Sequence, residues 1–323
     1  MGKKTGSLVT AIIPTYNRPD LLRGAVESVI CQTYKNIELI VVDDHSPTPA
    51  ESALSSISTS NLRSIQVIRH DKNKGANVAR NTGIKNASGD FIAFLDDDDK
   101  WEPTKIERQV AAFQTADDSV GVTYTGQHFI NEEGVTTSVH ISKVGGDVTK
   151  RLLCGAQIAP FSSVMVRSDV IQRAGLPDER FPCWQDREWY VRLSQYCEFK
   201  PIPEPLAIRH VGKHEQIGDN YQQKRDEAYP LFLEKHRPLA SKYGRVCKHK
   251  MEASLMRQLG KDALRHKKYR ESQKQLMRSA IHYPFVWKTY IYLLVALSGK
   301  PGYKIAKTCK RVYEERRFLK NDA

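Results

Sequence analysis

Four consecutive carboxylates, Asp96-Asp97-Asp98-Asp99, follow the apolar run Phe91–Leu95. Carboxylates this close repel one another, and a hard cation such as Mg²⁺ or Mn²⁺, shared with phosphate oxygens, relieves the repulsion. Alternate residues of an extended segment point the same way, so Asp96 and Asp98 form a candidate ligand pair. An acidic loop capping the helix that starts near Trp101–Pro103 would use the same residues without an ion. A second pair, Asp43-Asp44, closes the run Ile37–Val42. One of its carboxylates could accept hydrogen bonds from a nucleobase or ribose, and Tyr16 offers a ring on which a base could stack. A tight turn would employ the same aspartates. Arg80, downstream of Asn73-Lys74-Gly75, could neutralise a diphosphate or simply face solvent from a helix.

The elements that must position these groups alternate. Val9–Ile13, Ile37–Val42, Ile65–Ile68 and Phe91–Leu95 are continuous apolar runs. Between the first two, Leu21, Leu22, Ala25, Val26, Val29 and Ile30 recur at helical spacing, and 76–86 reads as another helix. Apolar strands separated by helices predict an α/β fold with a mainly parallel sheet covered on both faces. Ligands of such sheets bind beyond the carboxyl ends of the strands. Those ends here are Pro14-Thr15-Tyr16, Asp43-Asp44 and Asp96–Asp99. After a helix over 103–115 the pattern changes: Val120–Tyr124, Gln127–Ile130 and Thr136–Ile141 read as antiparallel strands, Ser162–Val166 as one more, and Gln185–Tyr196 as a helix. Beyond about residue 218 the signals are helical.

Five segments in order resemble the family 2 glycosyltransferases of the GT-A fold: Ile12-Ile13-Pro14-Thr15-Tyr16-Asn17-Arg18, Ser28–Tyr34, Glu38–Ser46, Asn73–Asn81 and Gly89–Asp99. The resemblance covers roughly residues 7–215. It implies a GT-A domain over 7–217, with a basic helical region over 218–323. It implies an enzyme that moves a sugar from a nucleotide-sugar to a glycan or lipid-linked acceptor, inverts the anomeric centre and uses Mn²⁺ or Mg²⁺. Carried over by position, Asp44 matches the base-binding aspartate, with Pro14 and Tyr16 around it. Asp96 and Asp98 match the outer aspartates of the D-x-D signature, Asp98 being the metal ligand proper. Inversion requires a base for the acceptor proton. The family draws it from a Glu-Asp pair opening a helix, and Gln185-Asp186 stands at the equivalent place, so Asp186 is the candidate base despite the departure at Gln185. An N-terminal helix carboxylate complementing the dipole would read the same way. His214 matches a family histidine near the diphosphate or metal. The competing reading is a catalytically inactive nucleotide-sugar or glycan binding protein on the same fold.

Charge is distributed unevenly along the 323 residues: 1–236 carry 28 basic and 31 acidic side chains, whereas 237–323 carry 22 and 6. A cationic extension on a neutral domain suggests a polyanionic partner. The segment Phe285–Leu297 is rich in aromatic and aliphatic residues and is flanked by Lys288, Lys300, Lys304 and Lys307. This is the composition of an element lying in an anionic membrane interface, and equally that of a packed helix with a basic tail. No nucleic-acid recognition motif accompanies it, so nucleic acid is not an expected partner. The apolar stretch Thr289–Gly299 is too short to cross a bilayer, which takes about 20 residues. The six cysteines show neither CxxC pairs nor zinc-ligand spacing. With no signal-peptide pattern at the N-terminus, the expected location is cytoplasmic, peripheral at the inner membrane face.

Overall fold

The structure, a computed structural model, describes residues 6–131, 133–210 and 220–309. The chain divides into two compact units. The first comprises 1–149, 157–180 and 185–213; the second comprises 150–156, 181–184 and 214–323.

The first unit is built on one nine-stranded sheet in the order β3-β2-β1-β4-β8-β6-β9-β5, with β7 paired to β6. Strands β1 (Val9–Thr15), β2 (Ile37–Asp43), β3 (Ser64–Arg69) and β4 (Phe91–Phe94) run parallel, as their continuous apolar composition predicts. Strand β1 is buried along its whole length. Helices α1 (Pro19–Ile30), α2 (Ala50–Leu54) and α3 (Ala76–Asn86) connect them. Helix α3 lies close on β1 because Gly83 meets it: a Cβ built there would lie 2.4 Å from Ile12 Cγ2. The core on the other face joins Leu22, Val26 and Val29 of α1 to Ile13, Leu39 and Val41 of the sheet, and to Ile106, Val110 and Phe113 of α4 (Lys105–Gln114).

Beyond β4 the sheet becomes mixed. Strand β8 (Val164–Arg167) is antiparallel to β4 and to β6 (Val120–Ile130), and β7 (Thr136–His140) is antiparallel to β6. The two strands expected over 120–130 are one long strand with register shifts near Gly126. Strands β5 (Asp99–Trp101) and β9 (Glu198–His210) have no counterpart in the sequence reading. Pro201, Pro203 and Pro205 hide β9 from pattern analysis. They are tolerated because β5 pairs only with 207–209, so that over the prolines β6 is the one partner strand. Helix α5 spans Thr149–Leu153, α6 Ser168–Ala174, and α7 Gln185–Leu193, stopping short of the expected Tyr196.

The second unit is helical. Helix α8 (Tyr221–Gln223) passes through a π-helical turn, Lys224–Ala228, into α9 (Tyr229–Lys242), and α10 (Arg245–Arg265), α11 (Tyr269–His282) and α12 (Trp287–Leu297) follow. Leu264, Leu276 and Ala296 form a small core joining α10, α11 and α12. Among the described residues no helix is long and apolar enough to cross a membrane.

Candidate active site

The carboxyl ends of β1, β2 and β4 open on one edge, and the expected residues that are described gather there. The four-aspartate segment forms a turn and not an extended strand end: Asp99 N–H donates to Asp96 C=O at 3.0 Å. That turn changes which carboxylates meet. Oxygens of Asp96, Asp98 and Asp99 lie within 4.8 Å of one another, while Asp97 turns aside. Thr15 Oγ1 donates to Asp97 Oδ2 at 2.8 Å, and Arg18 Nη1 bridges Asp97 Oδ1 and Asp98 Oδ2 at 3.1 and 3.2 Å. Burial lifts the Asp97 carboxyl to about 6 despite the bond from Thr15 and the charge of Arg18. Burial also lifts Asp99 well above the carboxylate range, reinforced by the charges of Asp96 and Asp98. Three carboxylates whose oxygens come this close offer a set of purely hard ligands, which fits Mg²⁺ or Mn²⁺.

Ser162, on the 3₁₀ turn Phe161–Ser163 before β8, fixes the turn from behind. Its hydroxyl donates to Asp99 Oδ2 at 2.6 Å and accepts from Asp96 N–H at 3.1 Å. Its carbonyl takes the indole N–H of Trp101 at 2.7 Å. At the far end of β9, Arg209 lies opposite Asp99 in the ladder, and the His210 ring nitrogen Nδ1 is 3.0 Å from Asp98 C=O. His214 lies outside the described residues.

Asp44 is buried rather than presented. Its oxygens accept from the backbone N–H groups of Lys74 and Gly75 at 2.9 and 2.7 Å and lie 2.7 Å from His70 Nδ1. A carboxylate has roughly four acceptor positions, so these three contacts leave about one for a base. The immediate work of Asp44 is to hold the Lys74-Gly75 turn from which α3 starts, with Gly75 at φ +92°. Asp43 is different. Burial opposes its ionisation, but N–H groups of Ser46 and Ala50 and the Arg69 guanidinium hold its carboxyl below the usual range, which is the signature of a turn residue. Pro14 lies within buried β1, and Tyr16, just beyond it, is 46% exposed.

Arg80, on α3, connects the two halves of the site. Its Nη2 donates to Asp96 Oδ1 at 2.6 Å and its Nη1 to Gln185 Oε1 at 2.9 Å, with the guanidinium 4.3 Å above the Phe161 ring. Only 4% of this side chain is exposed, and its Nε is buried without a hydrogen-bond partner. Gln185 begins α7 after Trp184, whose φ of +59° lies in the left-handed region that a bulky side chain seldom adopts. That backbone turn sets Gln185 toward Arg80. A neutral amide accepts from Arg80 without competing for its charge, so the Gln in place of the family's Glu leaves the guanidinium's charge to Asp96. Asp186 follows, its Oδ1 accepting from Arg187 N–H at 2.7 Å. Burial raises its pKa against the pull of that N–H and of Arg80, and the Asp96 charge raises it further. Asp186, Arg80, Asp96 and Arg209 thus share one electrostatic field. Tyr190, one turn along α7, has a buried hydroxyl whose pKa burial and Asp186 push well up.

The sequence alone points to Pro14, Tyr16, Asp44, Arg80, Asp96, Asp98, Asp186 and His214, the last outside the described residues. It gives no role to Thr15, Arg18, His70, Phe161, Ser162 or Arg209. Arg18 and Thr15 stand inside a segment that carried the resemblance, which was a usable signal; Phe161 and Ser162 have none.

The model for "Glycosyl transferase family 2" matches residues 10–171. An uncharacterised glycosyltransferase of Rickettsia felis is 41% identical over 154 residues, which is 47% of this chain and 24% of that protein; the chain spans about a quarter of that relative's length. The Escherichia coli UDP-Glc:alpha-D-GlcNAc-diphosphoundecaprenol beta-1,3-glucosyltransferase WfaP is 34% identical over 184 residues, covering 57% of this chain and 68% of WfaP. Among solved structures, the mannosyltransferase PcManGT of Pyrobaculum calidifontis, in complex with GDP-Man and Mn²⁺, superposes with a TM-score of 0.58 at 18% identity, covering 99% of this chain and 88% of that one. At that identity the likeness speaks to fold alone, and the fold is the mixed α/β sheet with flanking helices already described. From the ordered motifs, the strand-end site and the matched family model, the chain belongs to glycosyl transferase family 2.

Proposed function

We propose that this chain is a divalent-cation-assisted, inverting glycosyltransferase that moves a sugar from a nucleotide-sugar to a lipid-linked or glycan acceptor. The observation that carries the reading is Arg80, bonded at once to Asp96 of the acidic turn and to Gln185 beside Asp186. A single buried guanidinium so placed ties the group that would meet the donor diphosphate to the group that would meet the acceptor. Tyr16 and Pro14 flank the base, the remaining acceptor position of Asp44 reads it, and the Arg80 charge, held beside Asp96, offsets that of the diphosphate. Asp98 and Asp96 would hold Mn²⁺ or Mg²⁺, with Asp99 adjacent. Such an ion, when bound, stabilises the charge of the departing diphosphate. Asp186 takes the acceptor hydroxyl proton as the oxygen attacks the anomeric carbon, which inverts it.

WfaP is named for UDP-Glc and for an undecaprenol-linked acceptor, and PcManGT was crystallised with GDP-Man and Mn²⁺; both support a nucleotide-sugar donor, and WfaP supports a lipid-linked acceptor. The second unit supports attachment to the membrane that bears such a lipid. Trp287, Tyr290, Ile291, Leu294 and Leu297 are exposed along one stripe of α12, while Thr289 and Ala296 are buried on the opposite side. Ile281 and Phe285, each about four-fifths exposed, precede α12 in the chain, and Lys288, Lys300, Lys304 and Lys307, within and after it, are exposed as well. Apolar side chains inserted at headgroup depth, accompanied by lysines, bind anionic lipid surfaces.

Calorimetric titration with UDP-Glc and GDP-Man, with and without Mn²⁺, tests the site. The expected result is cation-dependent binding of one donor, weakened at least ~10-fold in Asp98→Ala with the fold retained, since even outer-shell losses cost that much metal affinity. Unchanged cation-dependent affinity in Asp98→Ala would overturn the assignment.

A further inference from the structure

The second unit holds a group of potential metal ligands that the transfer chemistry does not use. His249 and Glu252 are three residues apart on α10 and therefore share a face. His282, the last residue of α11, meets them there: its Nδ1 is 2.9 Å from Glu252 Oε2. That nitrogen is buried, and its contact with Oε2 lacks hydrogen-bond geometry, so the carboxylate does not satisfy it. One nitrogen from each histidine and one oxygen of Glu252 lie within 4.8 Å of one another. The carboxylate is already oriented from outside the cluster, because Arg237 Nε of α9 donates to Glu252 Oε1 at 2.9 Å and leaves Oε2 beside the His282 imidazole.

We propose that His249, Glu252 and His282 bind one transition-metal ion of the Zn²⁺ class, separate from the hard-cation site of the acidic turn. Two imidazoles and one carboxylate are the donors that Zn²⁺ and Co²⁺ take, with water completing a tetrahedron, whereas Mg²⁺ prefers oxygen alone. Zn–N bonds are about 2.0–2.1 Å long, which sets the edges of the ligand tetrahedron at roughly 3.4 Å, so the 2.9 Å His282–Glu252 pair opens slightly while the His249 nitrogen closes on it. His249 is exposed and has the freedom to swing inward. Arg237 acts as the outer partner that orients a ligating carboxylate, as such sites require. The ion ties the end of α11 to the first turns of α10, immediately before the Tyr283–Val286 link into α12. It thereby fixes the base from which the exposed stripe of α12 is displayed.

Chelator-treated full-length protein titrated with Co²⁺ is the test, because Co²⁺ held by four ligands absorbs visible light strongly and Co²⁺ in an octahedral site of oxygens absorbs weakly. One equivalent should give the strong absorption and be displaced by Zn²⁺. His249→Ala and His282→Gln should each weaken binding by at least ~10-fold, and Asp98→Ala should keep the strong absorption. His249→Ala keeps the proposal falsifiable even where a change at the buried Glu252 prevents folding. Absence of strong absorption in the parent protein, or its persistence at parental affinity in His249→Ala, would overturn the site.

Discussion

Asp186 is the residue on which the proposed chemistry turns. Burial and the Asp96 charge both disfavour its ionised form, and Arg187 N–H and Arg80 only partly offset them. A base of raised pKa is a stronger proton acceptor, and it works only when ionised. The rate of transfer at low substrate should therefore climb as pH rises through this raised pKa, at higher pH than an ordinary aspartate would give, and then level off. Asp186→Asn, nearly isosteric, should keep donor binding, lower turnover by at least ~100-fold and remove that acid limb. Steady-state rates over a pH series with the parent and the variant decide it. A variant that turns over like the parent would place the base elsewhere. Gln185 has a neighbouring but different part: it accepts from Arg80 and positions it without adding a negative charge beside the proposed base.

Helix α4 shows how one element supports the site from behind. Lys105 is completely buried, its Nζ 2.7 Å from Gln109 Oε1 and 4.1 Å from the centroid of the Trp101 ring. Gln109 in turn donates to the carbonyls of Thr123 and Ser163, so the lysine, the glutamine and Trp101 brace the strand that leaves the acidic turn. Burial alone pushes the Lys105 pKa well below its ordinary value. The unfolded chain then binds the extra proton between the depressed and the ordinary lysine pKa, so this residue's contribution makes stability rise with pH across that window. Lys105→Met keeps the packing on Trp101 and removes the titration. It should leave stability unchanged or raise it by up to about 2 kcal/mol near neutral pH, the cost of a buried amine less the partner lost by Gln109. Denaturant midpoints measured on both proteins across the alkaline range should show the parent gaining on the variant as pH rises. A constant offset at every pH would show that Lys105 does not titrate in that window.

For the molecule as a whole, the decisive feature is the division of charge, with a large basic excess confined to 237–323. Attraction of lysines to an anionic surface is screened within about 8 Å at physiological salt, while insertion of Trp287, Ile291, Leu294 and Leu297 is not. Sedimentation with anionic vesicles should accordingly weaken as salt rises and level off above zero, and neutral vesicles should retain less protein. Replacing Trp287 and Leu294 with Ser should remove the salt-resistant part and leave the salt-sensitive part. Equal retention on neutral and anionic vesicles, or none on either, would mean that the stripe of α12 and its lysines serve something other than a lipid surface.

Much of this protein could be read along the chain, because local patterns are physical instructions: continuous apolar runs can be satisfied only as strands covered on both faces, and carboxylates at their ends must fall on one edge of a parallel sheet. The parallel half of the fold, Asp44, Asp96, Asp98 and Arg80 at its edge, and the helical character of the C-terminal region follow from that logic. Tertiary structure decided which groups act together. A turn rather than an extended segment brings Asp99 in beside Asp96 and Asp98 and sends Asp97 to Thr15 and Arg18. Ser162 reaches Asp96 from 66 residues away and Gln185 reaches Arg80 from 105. At such separations no spacing rule applies, since any polar residue can be the partner and only chain topology selects one. The three prolines concealed β9 because propensity is local, whereas the tolerance of an edge is a property of the finished sheet. The sequence held the packed and the lipid-facing readings of Trp287–Leu297 in balance for the same reason: composition counts apolar side chains, and only the packing of α12 on α10 and α11 determines which of them remain exposed.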